Sequence, residues 1–433
     1  MSGECHPFGQ NPGMLRDTLP ERREARWLLL GVLLNALGRG LTVPFLFIYL
    51  TDVRGLPDAV AGLAIGWFGA VMLVFAPVGG TLMDRFGARP VGIVSWLAQA
   101  VGGVLLAFAG SPALAFLAIT VAAAGNGPSW PAGHTLLAQL TGEHERQRSF
   151  AMQFTMLNIG IGLGGLIAGA VVDVHRPVTF QAIYLIDAAT YLVPMVILLA
   201  MPAVGRRSGQ GRPATGGYRV MFRDRPFRRL LIFGLTLMTC GYAQFEVGFA
   251  AFSVRVAEVS PRVVAWAIAA NTVIILAVQV PVMRRLEGRS RSRSLAVVGA
   301  VFGLSWLILG AGGLAGDRFP LLAAVLVIAC MVVFGLGETV LSPMQPALIN
   351  AIAPDELRGR YNAANTMNMG IASVIAPITA GPLIGAGLGG VWVVLIVAGC
   401  LLASLLALLL HRHVTAAQDG TAAVPAEPVR PAA

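Results

Sequence analysis

Residues 125–148 read GNGPSWPAGHTLLAQLTGEHERQR, and residues 337–360, which lie 212 positions further on, read GETVLSPMQPALINAIAPDELRGR. The two segments align without a gap, and glycine, proline, leucine and arginine recur at the same places. The aligned pairs are Gly125 and Gly337, Pro131 and Pro343, Leu136 and Leu348, Arg146 and Arg358, and Arg148 and Arg360. The register still holds where Gly169 meets Gly381. An internal repeat of this kind predicts two halves of similar structure, joined in tandem.

The composition around this repeat is that of a membrane protein. Of the 433 residues, 56% are hydrophobic and 12% are charged, and the mean hydropathy is +0.75. A soluble domain carries about 25% charged residues, so this chain lacks the polar surface to face water everywhere. Apolar stretches of about 20 residues, enough to cross a bilayer as a helix, recur along the sequence. They lack the alternation of barrel strands, so the sequence predicts an all-α polytopic membrane protein.

Twelve transmembrane helices in two six-helix halves are predicted. The spans cover residues 27–50, 59–82, 90–110, 112–139, 149–172, 179–202, 229–253, 262–283, 294–314, 319–345, 362–387 and 389–411. The corresponding domains are an N-terminal tail (1–26), a first half (27–202), a linker rich in Gly, Arg and Pro (203–228), a second half (229–411) and a C-terminal tail (412–433). We expect residues 1–20 and the tail after His413 to be disordered.

The arginines orient these spans. All 31 basic residues are arginine, and the net charge is +10. The tails, the linker and the loops on their side of the membrane hold 25 arginines, and the opposite loops hold five. Positive charge collects on the cytoplasmic side, so both termini are predicted to be cytoplasmic in a bacterial inner membrane. Because the arginines flank the spans, the net charge indicates a lipid bilayer as partner, and nucleic acid is not expected.

The four cysteines are scattered, and three of them lie within apolar spans. Neither a disulfide framework nor a metal site follows from that spacing. We therefore expect no metal and no cofactor.

The loop after the second span carries the most specific motif. Residues 80–89 read GTLMDRFGAR, which resembles the signature loop Gly-x-Leu-Ala-Asp-Arg-x-Gly-Arg-Arg of the major facilitator superfamily. The matching residues are Gly80, Leu82, Asp84, Arg85, Gly87 and Arg89, whereas Met83 and Ala88 depart from the pattern. The resemblance covers about residues 27–411 and implies a transporter of two rocking halves.

In that family the loop works as a conformational switch. Asp84 can accept hydrogen bonds from arginine and from N–H groups at a helix N-terminus. The resemblance places this partner at the start of helix eleven, near Tyr361 and Asn362. Making and breaking the contact would bias the protein towards one open state or the other. The second-half counterpart, 287–293, keeps the arginines without a clear aspartate. A merely solvated charged turn is the alternative.

Helix five contains a run of glycines, GIGLGGLIAG at 160–169. It satisfies G-x-G-x-x-G literally, but no strand precedes it, so a dinucleotide site is excluded. The run is similar to the family's antiporter motif G-x-x-x-G-P-x-x-G-G, with Gly165 replacing the proline and Ala168 replacing a glycine. Close helix packing through Gly160, Gly164, Gly165 and Gly169 is the alternative. Residues 120–122 lack the helix-four arginine of many exporters, so a coupling role for that arginine does not carry over.

Polar residues within the spans are the candidate proton and substrate site. A charge at the bilayer centre costs at least about 2.5–3.5 kcal/mol, so each one needs a reason. Helices one, four, seven and ten line the cavity in the resembled family. The candidates on these helices are Asn35, Arg39, Asn126, Trp130, Tyr242, Gln244, Glu246 and Glu338. One of the two glutamates would exchange a proton as substrate binds. The alternative is a structural ion pair between Arg39 and either glutamate. His134 is read as a packing histidine.

These patterns predict a secondary active exporter of small amphipathic drug-like or secondary-metabolite molecules, working as a proton antiporter and as a monomer. An importer of sugars, amino acids or organic acids on the same fold is the alternative. Without lysine the chain has no P-loop for ATP. It also lacks the H-E-x-x-H and G-x-S-x-G motifs of hydrolases, so an enzyme is not expected. The sequence names neither the substrate nor the coupling ion.

Overall fold

The computed structural model describes residues 19–201, 204, 217–245 and 248–421. The described chain is helical almost throughout and contains no strand. Among the described residues, eleven helices are long and apolar enough to cross a membrane, and a helix pair bent by 47° is the candidate for the twelfth span. The predicted fold class is thereby confirmed: this is an all-α, multi-pass membrane protein.

Six helices form the first half. They are α1 (Arg23–Thr42), α2 (Asp58–Phe86), α3 (Ala88–Ala107), α4 (Pro112–Leu140), α5 (Glu143–Val171) and α6 (Pro177–Ala200). Short turns extend the α1 span to Val53. Proline opens α4 and α6, where its fixed φ suits the first helical turn and its missing N–H would be unbonded in any case.

The second half follows a short linker helix, Gly217–Arg223. Its spans are α7 (Arg225–Leu237, continued to Phe245 and by Gly248–Arg255), α8 (Pro261–Leu286), α9 (Arg291–Ala315), α10 (Pro320–Ile352), α11 (Arg358–Gly385) and α12 (Gly389–His411). Leu140 and Ile352, the last residues of α4 and α10, are themselves 212 positions apart, which is the offset of the sequence repeat. Helices α2, α5 and α10 run several residues beyond the predicted spans, and in α5 the added residues, 143–148, are polar and continue the helix out of the bilayer.

Small residues and aromatic rings both contribute to the packing within the halves. In the first half, small residues bring helix backbones together: a Cβ on Gly102 would lie 2.6 Å from the backbone N of Ala122. In the second half, aromatic rings fill the space: Phe302 stacks on Phe334 with centroids 4.3 Å apart, and Trp306 meets Trp392 edge-on at 5.7 Å.

Helices α1 and α5 make the closest backbone contact through the predicted glycine run. A Cβ on Gly160 would overlap Ala36, and one on Gly164 would overlap the carbonyl oxygen of Leu37. The packing at Gly165 is looser, since a Cβ there would lie 3.8 Å from the Gly40 carbonyl oxygen. A Cβ on Gly169 would have no atom within 4 Å. The first two glycines therefore permit this packing, as small-xxx-small motifs do between membrane helices.

The described part of the C-terminal tail is ordered, which corrects the expectation of disorder up to residue 421. A tail helix, Ala416–Asp419, begins with a capping box in which Thr415 and Gln418 bond reciprocally. Asp419 is 1% exposed and accepts hydrogen bonds from the Ser292 backbone N–H (2.8 Å) and the Ser290 hydroxyl. It also pairs with His411 Nδ1 at 3.0 Å. The tail thus caps the N-terminus of α9.

Candidate functional site

An ion pair joins the two halves at the end of the molecule that carries the arginine-rich connections, here called the arginine-rich end. Asp84, in the last turn of α2, lies with Oδ2 3.2 Å from Arg360 Nε on α11. The Asp84 and Arg360 side chains are only 7% and 15% exposed. The backbone N–H groups of Gly359 and Arg360 also donate to the carboxylate. The family resemblance placed this partner near Tyr361 and Asn362, and the structure places it one to three residues earlier, in the first turn of α11.

Three neighbours shape this contact. A Cβ on Gly80 would lie 2.7 Å from Ala363 Cβ, so glycine permits the close approach of α2 to α11. Gly87 has φ +91°, in the left-handed region that favours glycine, and turns the chain directly into α3. Tyr218 of the linker helix donates to the Pro77 carbonyl, and the Arg360 guanidinium lies 5.5 Å from its ring. Burial raises the pKa of the Tyr218 hydroxyl, which keeps this donor protonated at neutral pH.

The other two residues of the predicted switch loop have local roles. Arg89 donates from Nε to the Leu198 carbonyl at 2.9 Å, near the C-terminal end of α6. Arg85 is exposed and lies over the ring of Phe86. Neither residue reaches the second half through a hydrogen bond or ion pair that the described chain contains.

A second ion pair mirrors the first. Glu287, directly after α8, lies 3.1 Å from Arg148 at the start of α5. Arg148 and Arg360 are aligned in the internal repeat, so the same arginine of each half reaches a carboxylate at the end of the second helix of the other half. The sequence showed no clear aspartate in this loop, and the structure shows that Glu287, the first residue of the segment 287–293, makes the ion pair. With side chains 30% and 40% exposed, the second pair is more hydrated than the first.

A buried polar layer closes the arginine-rich end on the side of the two ion pairs that faces the membrane interior. Asn362 on α11 donates to Thr135 Oγ1 on α4 at 3.2 Å, and it bonds Asn350 on α10. All three side chains are at most 3% exposed. Deeper still, a Cβ on Gly370 would overlap the Leu73 side chain of α2. The halves are therefore in contact from the arginine-rich end to the middle of α2 and α11.

A central cavity of about 220 Å³ lies between the halves beyond this contact. Side chains of α4, α5, α7, α10 and α11 line it. They are Trp130, His134, Phe150, Gln153, Phe154, Leu157, Met238, Tyr242, Glu338, Leu341, Ser342, Gln345, Pro346 and Asn365. A rise of 1.5 Å per residue places Glu338 about 20 Å from the end of α10, which is deep in the bilayer. The cavity is largely aromatic and aliphatic, with a few convergent polar groups.

Glu338 is the acidic residue of this cavity among the described residues. It is 7% exposed, and its Oε2 accepts a hydrogen bond from Asn271 Nδ2 of α8 at 2.8 Å. The Tyr242 hydroxyl of α7 bonds the same carboxyl group. Two neutral donors therefore hold Glu338 at the cavity wall without neutralising it by an opposite charge.

Arg39 lies in a smaller cavity of about 60 Å³ that adjoins the central one. Trp130, Gln153 and Leu157 line both cavities, and the Arg39 guanidinium lies 5.6 Å from the Trp130 ring. Asn35, one turn earlier on α1, lines the smaller cavity as well. Within the described chain Arg39 has no carboxylate within 4.0 Å, so the alternative of an ion pair with Glu338 does not hold in this state.

Two further candidates link helices and do not line either cavity. Gln244 is 3% exposed and accepts from Trp392 Nε1 at 3.1 Å while donating to the Thr239 carbonyl. Asn126 donates to Gln99 Oε1 of α3 at 3.1 Å. Both side chains therefore form hydrogen bonds with neighbours in their own half. The remaining candidate, Glu246, lies outside the described residues.

Several cavity residues were not predicted as site residues. Gln153, Gln345 and Asn365 line the central cavity, and Gln345 donates to Asn365 Oδ1 at 2.8 Å. His134, read as a packing histidine, contacts the rings of Trp130 and Phe150 but also faces the cavity. Their polarity within apolar spans was the available signal, and the direction in which each side chain points was not readable from the sequence.

Among the described residues, eleven spans and a bent candidate for the twelfth form two repeated halves around a central cavity, which is the architecture of a membrane transporter. The sequence profile of the Major Facilitator Superfamily matches residues 28–260 and 248–431, so the chain belongs to this family. The family predicted from residues 80–89 is thereby confirmed, and a small molecule is the class of substrate that the family implies. Members of the family are transporters rather than enzymes.

Curated relatives span most of the chain. "Multidrug resistance protein MdtH" of Yersinia enterocolitica is 27% identical over 359 residues, which cover 81% of this chain and 84% of the relative. The "Uncharacterized MFS-type transporter YqjV" of Bacillus subtilis is 26% identical over 379 residues, covering 83% of this chain and 87% of that protein.

Solved structures share the fold at lower identity. A bacterial homologue of the iron transporter ferroportin in an outward-facing state superposes with a TM-score of 0.75 at 17% identity, covering 90% of this chain and 99% of that chain. The transporter FucP in its outward conformation gives a TM-score of 0.69 at 16% identity, with coverage of 90% and 98%. These likenesses concern the fold alone. Among the described residues, no group of three or more His, Cys, Asp or Glu side chains could hold a metal ion.

Proposed function

We propose that this transporter is a proton-coupled exporter of small amphipathic drug-like or secondary-metabolite molecules that works by alternating access. The single observation that carries the proposal is Glu338, a deeply buried carboxyl group that faces a largely apolar central cavity. A carboxyl group that is dry in one state and hydrated in another changes its affinity for protons, and this couples proton movement to the conformational cycle.

The contacts between the halves support alternating access. The halves are joined by the Asp84–Arg360 pair and by the Asn362–Thr135 bond at the arginine-rich end. Towards the other end, Gly62 and Gly66 of α2 and Gly381 of α11 have no atom within 4 Å of a built Cβ. These features support a state that is open at the end opposite the arginines. With the arginine-rich end in the cytoplasm, as its charge favours, this state is outward-open.

Two observations support export. Similarity to proteins named for multidrug resistance covers more than four fifths of the chain. The lining of the central cavity combines Trp130, Phe150 and Phe154 with one acid, which suits an amphipathic substrate better than a sugar. The glycine run of α5 remains a predicted antiporter motif, and its first glycines also have a packing role that needs no coupling.

The test is proton release from energised inverted membrane vesicles, followed with a fluorescent pH-gradient probe. A panel of cationic, neutral, zwitterionic and anionic amphiphiles is added to the wild type, to Glu338→Gln and to Glu356→Gln. Glu356 is an exposed glutamate of the α10–α11 turn and serves as the matched control. We expect at least one compound to collapse the gradient with the wild type and the control, but not with Glu338→Gln.

Two results would contradict the proposal. If Glu338→Gln still releases protons like the wild type, Glu338 is not the coupling residue. If no compound releases protons, while labelled sugars, amino acids or organic acids accumulate in intact cells, the protein is an importer.

A further inference from the structure

The most unusual feature beyond the coupling residue is the charge of Arg39. It lies within an apolar span, where an arginine costs at least about 2.5–3.5 kcal/mol to insert, and its cost needs compensation. No described carboxylate lies within 4.0 Å of it. Asp187 on α6 interacts with it electrostatically, and its carboxylate accepts from Thr42 Oγ1 at 2.9 Å, but neither Asp187 oxygen lies within 4.0 Å of the guanidinium. Arg39 therefore has no direct ionic partner among the described residues and can bind an anion in the smaller cavity.

A second group in that cavity also lacks a partner. The Asn35 amide nitrogen, Nδ2, is buried and has no hydrogen-bond partner among the described residues. Asn35 and Arg39 lie one helical turn apart on α1, so their side chains share a face. An unsatisfied buried donor is costly, typically about 1–3 kcal/mol. An oxyanion in the smaller cavity would satisfy this N–H donor and the guanidinium together.

The opposite charge lies on the opposite half. Glu338 faces the central cavity from α10, and the Trp130 side chain lines both the central and the smaller cavity. From this geometry we infer that the substrate is an amphipathic zwitterion. Its anionic group binds Arg39 and Asn35, its cationic group binds Glu338, and its apolar body packs on Trp130 and its aromatic neighbours. The inference rests on the proposed export function and adds the class of substrate.

The charge arrangement also gives the ligand a conformational role. Arg39 belongs to the first half and Glu338 to the second, so a ligand that carries both charges bridges the halves. A ligand with one charge contacts only one half in this way. Charge complementarity at close range supports discrimination of tenfold or more between partners.

The experiment compares three xanthene dyes that differ in charge and little in shape. They are unsubstituted rhodamine, which carries a carboxylate and a delocalised cation, its methyl ester, which is only cationic, and fluorescein, which is anionic. Binding to the purified full chain in detergent is measured by fluorescence anisotropy, without a proton gradient. We expect the wild type to bind the zwitterion about tenfold more tightly than either analogue.

Two substitutions assign the charges. Arg39→Gln is expected to weaken binding of the zwitterion about tenfold and to leave the ester within twofold, whereas Arg39→Lys keeps the preference. Glu338→Gln is expected to weaken the zwitterion and the ester, and to leave fluorescein unchanged. Size-exclusion profiles establish that each variant is folded.

Three results would overturn the inference. These are equal affinities of the wild type for the zwitterion and its ester, no binding of the zwitterion, and an equal loss for all three dyes in Arg39→Gln. The dye comparison on the wild type uses no variant, so it tests the inference even if a variant misfolds. Because binding is measured without transport, a failure of the export proposal in the vesicle assay is seen separately from a failure here.

Discussion

Replacing Asp84 by asparagine tests whether the ion pair with Arg360 holds the arginine-rich end closed. Asparagine keeps the shape of the side chain and one oxygen for the N–H groups of α11, so the charge is the main loss. Removing one partner of a buried ion pair costs about 3–5 kcal/mol. Because Arg360 keeps 15% exposure and can be partly hydrated, we take the lower value. About 3 kcal/mol corresponds to a shift on the order of 100-fold towards the state that is open at this end.

Opening can be followed at Thr135, which is 3% exposed in the seal between the halves. In a background without native cysteines, Thr135→Cys is allowed to react with a hydrophilic maleimide in detergent solution. When opening is rare and fast, the labelling rate is proportional to the population of the open state. We therefore expect Asp84→Asn to raise this rate on the order of 100-fold.

The matched control is Asp355→Asn at the same end of the molecule. Asp355 pairs with Arg358, but its side chain is 75% exposed, and such surface pairs contribute about 0–1 kcal/mol. Its replacement is expected to change the labelling rate only a few-fold. A rate for Asp84→Asn within twofold of the reference protein, or an equal increase for Asp355→Asn, would refute the reasoning.

Three further predictions concern other contacts. Gly164→Ala should lower the midpoint of thermal unfolding in detergent by several degrees, since the added methyl overlaps α1. Gly169→Ala should leave the midpoint unchanged, and equal midpoints for the two variants would contradict the packing described. Glu287→Gln should raise Thr135→Cys labelling only a few-fold, because its ion pair with Arg148 is partly hydrated. A change as large as that of Asp84→Asn would show that the solvent exposure of an ion pair does not predict its contribution to closure. Asp419→Ala removes the acceptor and should weaken the cap of α9 by about 1 kcal/mol, measured as faster amide exchange in its first turn, and unchanged exchange would count against the cap.

Much of the fold was predictable because it depends on composition and repetition. Apolar length predicted the spans, but it ended the tenth at 345, whereas the structure ends α4 and α10 at Leu140 and Ile352, in the register of the repeat. The loop at 80–89 predicted the family, since its glycines are tied to backbone geometry at Gly87 and to close packing at Gly80. The contact of Asp84 with the start of α11 was also predictable from this loop, because its partner is a helix N-terminus whose position is set by the fold.

The rotation of each helix was not predictable, and it decides which polar side chains reach the cavity. Gln244 and Glu338 look equivalent in the sequence, yet Gln244 is turned towards Trp392 and Glu338 towards the cavity. The pair of Arg148 with Glu287 was missed because the repeat loses register there: the residue aligned with Asp84 is Ala296, inside α9. Tyr218 was missed because the linker around it has no periodic pattern.

The position of Asp419 has a consequence for how the chain is assembled. Its hydrogen-bond partner on Ser292 is 127 residues earlier in the sequence, so α9 leaves the ribosome long before the residue that caps it. The Ser290 hydroxyl can accept from the Arg293 N–H at once, but the Ser292 N–H must wait for its acceptor until α10, α11 and α12 have been made and inserted. A chain that stops before residue 419 would keep that defect permanently. The cap of α9 therefore forms only after synthesis has reached residue 419.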